Sequence, residues 1–207
     1  MFIDIIKKKY KKDIPIFTAD ILALLPNYTR AYVFRMINKA VDSGDLIKFS
    51  RGIYYLPRKT VVGISSITAD DVVQKRYIAS SGKVLGIYSG ISLLNKFFIT
   101  TQVPNTIEIV TNNETMRKRV VDIDGRFFIL RKSRFPITND NVAIYTILQL
   151  FTCIESIEEL DSFSRKKIIE YISEKQINKN ELLSKSVVFP VCTLKNIIRS
   201  GVLNEIA

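Results

Sequence analysis

A chain of 207 residues, 47% of them hydrophobic and 10% aromatic, can bury the core of one large domain or two small ones, which excludes a disordered polymer. Its 31 Lys+Arg stand against 20 Asp+Glu, a formal net charge of +11, and a folded chain this basic points to a polyanionic partner, nucleic acid ahead of a membrane surface; mere solubility is the alternative for charge alone. There is no histidine, which removes the usual general base at neutral pH, the histidine-dependent triads and the commonest metal ligand.

The chain opens MFIDIIKKKYKKD, and residues 2–12 predict a short helix with Phe2, Ile3, Ile5, Ile6 and Tyr10 on its apolar side and five lysines over the rest. The KKKYKK run reads either as a solvated face or as part of a nucleic-acid surface. Charges arrive within a few residues of the start with no apolar stretch before them, so no secretory leader is expected. IPIF at 14–17 is a β-like run whose Pro15 suits a sheet edge. Thr18 is expected to cap a helix over TADILALL, with Asp20 in its first turn. A further helix is predicted from Thr29 to about Ser43, stopped by Gly44. On it Val33, Met36, Ile37, Ala40 and Val41 share one side, while Arg35, Asn38, Lys39 and Asp42 share the other. Two strands, LIKFS and IYYLP, then meet across Arg51-Gly52; alternation places one of Tyr54 and Tyr55 in the core and the other outside.

Helix, short strand, helix, helix and β-hairpin within about 60 residues is the order of a winged helix-turn-helix. The second of the paired helices is then a recognition helix and the hairpin a wing with Arg51 at its tip. Helix-helix-hairpin units also serve as protein docking modules. Residues 1–60 hold 12 Lys+Arg against 5 Asp+Glu, and that concentration of positive charge favours DNA.

RKTVVGISS at 58–66 reads as the hinge into a second domain. A helix follows over 68–80, with Thr68 as cap and Asp70-Asp71 as first-turn charges. VLGIY precedes a helix over SGISLLNKFF, and TTQVP turns the chain into a strand, TIEIVTNN, with Ile107, Ile109 and Thr111 on one face. KRVVDIDGRFFILRKS predicts a hairpin around Asp124-Gly125. From Asn141 the pattern is helical: NVAIYTILQLFTCI is largely buried, and SRKKIIEYISEK and 190–206 are amphipathic. The longest apolar stretch, 142–151, is well short of the ~20 residues a bilayer span needs. Cys153 and Cys192 lie in apolar contexts that suit buried, inert thiols. A soluble cytoplasmic protein with no membrane partner is expected.

Several of these segments resemble the AbiEi-like antitoxins of type IV toxin–antitoxin (abortive infection) systems, in a short form. IFTADI resembles the family's F-t-x-x-D helix opening. VFRMINKAVDSGDLIKFSRGIYYLP resembles its recognition helix followed by G-x-I/L-x-R/K-x-x-R-G-x-Y. SGISLLNKFFITTQVPNTIEIVTNN resembles the stretch leading through S-T-Q-V-P into a strand, although Phe98-Ile99 stand where Gly and Leu are common. MRKRVVDIDGRFFILRKSR resembles the basic hairpin that follows. The resemblance implies a winged helix that binds inverted repeats in its own promoter. It also implies a second domain that counters a nucleotidyltransferase-like toxin without a stable complex.

Catalytic signatures are missing: no GxxxxGK[ST], no GxGxxG, and no lysine two residues after Glu108, where Val110 stands instead of a nuclease's metal-site lysine. Asp122 and Asp124 are explained by the turn. The fold expected is therefore mixed α/β (α+β), with a winged helix-turn-helix over 1–60 and a mixed α/β domain ending in helices over 61–207. No enzymatic activity, cofactor or metal is expected. The partners expected are double-stranded DNA and a toxin; a plain regulator whose second domain senses a ligand or dimerises is the alternative. For base or groove contact the candidates are Thr29, Arg30, Tyr32, Arg35 and Lys39; for phosphate or minor-groove contact they are Lys48, Ser50 and Arg51. A second basic surface is expected around Arg117, Lys118, Arg119, Arg126, Arg131 and Lys132. It serves antitoxicity or auxiliary nucleic-acid contact, or else protects a sheet edge.

Overall fold

The structure is a computed structural model that describes residues 2–61 and 63–205. Met1, Val62, Ile206 and Ala207 lie outside the described residues, and with them the last residue of the amphipathic segment expected at 190–206. The chain divides into two compact units, Met1–Lys75 with Ile123–Gly125, and Arg76–Asp122 with Arg126–Ala207. Helices and sheets are mixed throughout, an α+β fold.

The first unit begins with α1 (Phe2–Lys9), shorter than expected because the chain leaves helical geometry at Tyr10 and reverses through Asp13, whose φ is 60°. Ile6 is fully buried, while Ile5 is 39% exposed rather than part of the packed side. β1 (Ile16–Phe17) pairs antiparallel with β3 (Ile53–Tyr55), which also pairs with β2 (Ile47–Ser50). The order β1-β3-β2 places the proline-flanked β1 at an edge. α2 (Thr18–Leu24) is preceded by Phe17 as its capping position, not by Thr18: Asp20 accepts the Phe17 N–H at 3.4 Å. The Thr18 hydroxyl is drawn away to donate to the Gly52 carbonyl at 3.2 Å, fastening the hairpin turn to α2. α3 (Arg30–Asp42) starts with the Thr29 hydroxyl accepting the Tyr32 N–H at 3.4 Å and stops at Gly44, φ +73°, where a residue with no Cβ meets no steric penalty. Val33, Ile37 and Ala40 turn inward onto Ile6, Ile16 and Leu46. Each of the valine, isoleucine and leucine side chains among them, fully buried, contributes about 1.5–3 kcal/mol.

The expectation that one of Tyr54 and Tyr55 faces outward does not hold: both are buried on the central strand β3, Tyr54 within the unit's main core and Tyr55 on the side that meets Ser65. The Tyr55 hydroxyl donates to the Ser65 carbonyl at 3.0 Å. The segment expected as a hinge is a small hairpin, β4 (Lys59–Thr60) with β5 (Gly63–Ile64). The Ser65 hydroxyl donates to Asp13 and accepts the Arg58 N–H at 2.8 Å, and the Arg58 guanidinium lies 3.1 Å from Asp13. These bonds carry the first unit beyond residue 60. It ends in α4 (Ala69–Val73), where Thr68 and Asp71 cap one another, and Lys75, which donates to the Pro15 carbonyl and lies over the Tyr10 and Phe17 rings. Burial pushes the Lys75 pKa down, with Asp20 opposing the shift.

In the second unit a π-helical turn through Ile78 leads to β6 (Ala79–Ser80) and β7 (Lys83–Val84), a short hairpin. β8 (Gly86–Ser89), α5 (Ile91–Lys96) and β9 (Ile107–Thr111) follow, then β10 (Arg119–Ile123) and β11 (Arg126–Lys132). The sheet order is β10-β11-β9-β8, with β11 parallel to β9 and β8 antiparallel to it. Asp124 and Gly125 both have positive φ, as an Asp-Gly two-residue turn requires. α6 (Val142–Cys153) is buried along nearly its whole length against β8, α5 and α9 (Val191–Ser200), which explains why its apolar residues occupy every side rather than one stripe. α7 (Ser162–Glu174) and α8 (Lys179–Ser186) complete the helical part.

Candidate nucleic-acid interface

α3 presents its polar side in a narrower row than the sequence list of candidates. At 3.6 residues per turn, successive residues advance by about 100°, so Tyr32, Arg35 and Lys39 fall within about 60° of one another. All three are exposed. Arg30 falls well outside that row and folds its guanidinium over the Phe34 ring, 5.6 Å from the centroid. Thr29 precedes the helix and spends its side-chain oxygen on the cap. Tyr32 stacks on Tyr28 with ring centroids 5.4 Å apart and planes 13° from parallel. Together with Lys39 the pair lines a cleft of about 510 Å3 whose other walls include Phe2, Leu25, Met36 and Asp45. Tyr28 was absent from the candidates; its signal was the spacing of four from Tyr32, which continues the row back across the cap.

The hairpin follows α3 after Leu46. Lys48 is exposed on β2, an edge strand, and pairs in register with Tyr54. Register shifts between Lys48 and Ser50, a bulge that sharpens the twist. Ser50 is half-buried and Arg51 is exposed at the turn. Gly52 has φ +77°, and a Cβ there would lie 3.3 Å from the Thr18 hydroxyl, so the turn is set closely against the start of α2.

The partners of the cations separate two populations. Lys7 pairs with Asp45 at 2.9 Å, Arg58 with Asp13 at 3.1 Å, and Lys75 lies 3.9 Å from Asp20. Among the described residues, Arg30, Arg35, Lys39, Lys48 and Arg51 pair with no carboxylate. Lysines of α1 serve the unit's own packing in one case at least, whereas the α3 and hairpin cations remain available to an external anion.

The second basic set is dispersed. Arg119 is tied to Glu114 at 2.7 Å. Burial alone would raise the Glu114 pKa; the N–H groups of Met116 and Thr115 and the Arg119 charge outweigh it and hold the carboxyl below its ordinary value. Arg131 grips Glu108 with Nε at 2.7 Å and a terminal nitrogen at 3.3 Å. Glu108, the strand carboxylate weighed for a metal site, is thereby engaged in an ion pair. Arg126 leans over the Phe128 ring at 5.6 Å, and Lys118 is exposed in the loop before β10. Arg117, Arg131 and Lys132 instead line one polar cavity with Arg134, which was not among the candidates. Lys118, Arg119 and Arg126 stand outside it.

Cys192 is exposed, contrary to the expectation of two buried thiols, because it lies in the first turn of α9 while Thr193, Asn196 and Ile197 take the inward positions. Cys153 is half-buried, 3.5 Å from the Ser89 hydroxyl. Among the described residues no helix is long and apolar enough to cross a membrane. In comparison with known proteins, residues 2–182 match a family described as "Family of unknown function (DUF6088)". No curated protein matches the chain.

Proposed function

The chain belongs to the DUF6088 family, and we propose that it is a DNA-binding repressor of its own operon whose first unit acts as a winged helix. The observation that supports this most is the exposed row Tyr32, Arg35 and Lys39 on α3, followed directly by a hairpin with Arg51 at its turn, with none of these cations neutralised. In this reading α3 lies in the major groove of double-stranded promoter DNA and Arg35 meets a base edge. Lys48, Ser50 and Arg51 rest on phosphate or in the minor groove. Operator sites of this kind are inverted repeats read by two copies. The test is a promoter–reporter assay with the intact protein and with Arg35→Ala: repression lost in the variant supports the reading, and unchanged repression contradicts it.

The resemblance to AbiEi-like antitoxins adds a second element to the proposal, that the protein counters a nucleotidyltransferase-like toxin, a functional rather than stably bound partner. Relief of growth arrest on co-expression with such a neighbouring reading frame tests it. A regulator that senses a ligand and has no toxin is the other reading. It is favoured by one observation, an apolar cavity of about 540 Å3 in the second unit, lined in part by Ile87, Leu93 and Tyr171 with the Lys96 ammonium at its wall. Burial pushes the Lys96 pKa down, and Lys175 adds to that shift.

A further inference from the structure

We propose that the cavity lined by Arg117, Arg131, Lys132 and Arg134 binds the polyphosphate of a nucleotide-sized ligand. Its volume is about 480 Å3, within the ~300–1,000 Å3 of small-molecule sites and far too small and concave for a duplex. Four cationic residues line it, and the one carboxylate paired to any of them is Glu108 on Arg131, leaving an excess of about three positive charges around it. Charges kept for solubility spread over convex surface. Here four cationic residues border one concavity, an arrangement that an anion of three or four negative charges complements.

Two of the cations are held in place before any ligand arrives. Glu108 fixes the Arg131 fork at 2.7 and 3.3 Å. Arg134 donates to the Val188 carbonyl at 3.4 Å, lies 5.2 Å from the Phe189 ring centroid, and donates its backbone N–H to the Tyr145 hydroxyl at 2.9 Å. Arginine held this way presents a planar fork suited to two phosphate oxygens. Arg117 and Lys132 have no carboxylate partner among the described residues and are free to close on the outer phosphates. Thr115 lines the same cavity and adds a hydroxyl donor, while the Gln149 amide in the same wall donates to the Ser89 hydroxyl at 3.0 Å.

The test is calorimetric titration of the full chain with ATP, pyrophosphate and adenosine, at low salt and up to about 1 mM ligand. ATP and pyrophosphate are expected to bind and adenosine not. Arg117→Ala and Lys132→Ala should each weaken binding about tenfold or more, and Arg117→Lys should restore part of the loss. Lys118→Ala, next in sequence but outside the cavity, should leave binding unchanged. A near-ultraviolet spectrum matching that of the unaltered chain establishes that each variant is folded. Equal losses in Lys118→Ala and Arg117→Ala would overturn the proposal in favour of diffuse attraction. So would the absence of any binding, or tighter binding of a single-stranded oligonucleotide through the same residues.

Discussion

Arg35 and Arg51 carry the same charge in different settings, and the two should fail differently. Arg35 stands at the middle of α3, so Arg35→Ala should cost about 1–3 kcal/mol on cognate DNA and relax specificity at one position. Arg51, at the hairpin turn, should behave as a phosphate contact. Arg51→Ala should weaken cognate and random duplexes alike and reduce the salt slope by about one. Competition binding on both duplexes separates the two; identical behaviour of the variants contradicts the assignment. Glu114 offers a test of stability. Its folded pKa lies below the ordinary value, so its contribution is present above the ordinary carboxylate range and is lost as pH falls through the folded pKa. Glu114→Ala leaves the Thr115 and Met116 N–H groups and Arg119 without their acceptor, at about 1–3 kcal/mol near pH 7. Urea unfolding should show that difference shrinking in acid; a difference independent of pH contradicts it. Local chemistry made Thr29 and Gly44 legible, since caps depend on neighbours in sequence. The partners of Arg119 and Arg131 were not legible. Glu108 meets Arg131 only because β9 and β11 run parallel in one register, a fact of tertiary pairing.

Among the elements, the hairpins declared themselves most clearly. Asp-Gly and Arg-Gly each mark a two-residue turn that demands positive φ, and both turns stand where the residues put them. The amphipathic side of α3 was equally readable from its 3.6-residue period. What the pattern could not show was what lies over β3: alternation exposed one of Tyr54 and Tyr55, whereas Tyr54 packs in the core and the Tyr55 hydroxyl reaches the Ser65 carbonyl, so both are buried. Thr18 was misassigned for a similar reason, because its hydroxyl has a partner in Gly52, 34 positions away. Gly86 tests the second sheet as an element. A Cβ there would sit 2.3 Å from the Tyr77 carbonyl oxygen and 2.5 Å from that of Val110, both backbone atoms that cannot rotate aside. Gly86→Ala should therefore destabilise the chain by about 3 kcal/mol or more, beyond what an added methyl costs where side chains can yield. Denaturant unfolding within about 1 kcal/mol of the unaltered chain contradicts that packing.

For the whole molecule, the formal +11 is unevenly used. Some of the lysines and arginines are paired internally, at Asp13, Asp45, Glu108 and Glu114, and others stand without a carboxylate on α3, on the hairpin and around the cationic cavity. Composition could report the excess but not this division, which depends on which carboxylates the fold brings to which cations. The extent of the first unit was hidden likewise: 58–66 reads by its position as a hinge, and the Asp13–Ser65–Arg58 bonds make it part of the unit. Binding of the purified protein to its own upstream DNA and to a scrambled duplex, titrated across salt, tests the repressor reading most directly. A preference of about 10³ or more for the upstream fragment, abolished in Arg35→Ala, is the predicted result. Equal and steeply salt-dependent binding to both duplexes would contradict it, reducing the positive charge to non-specific attraction.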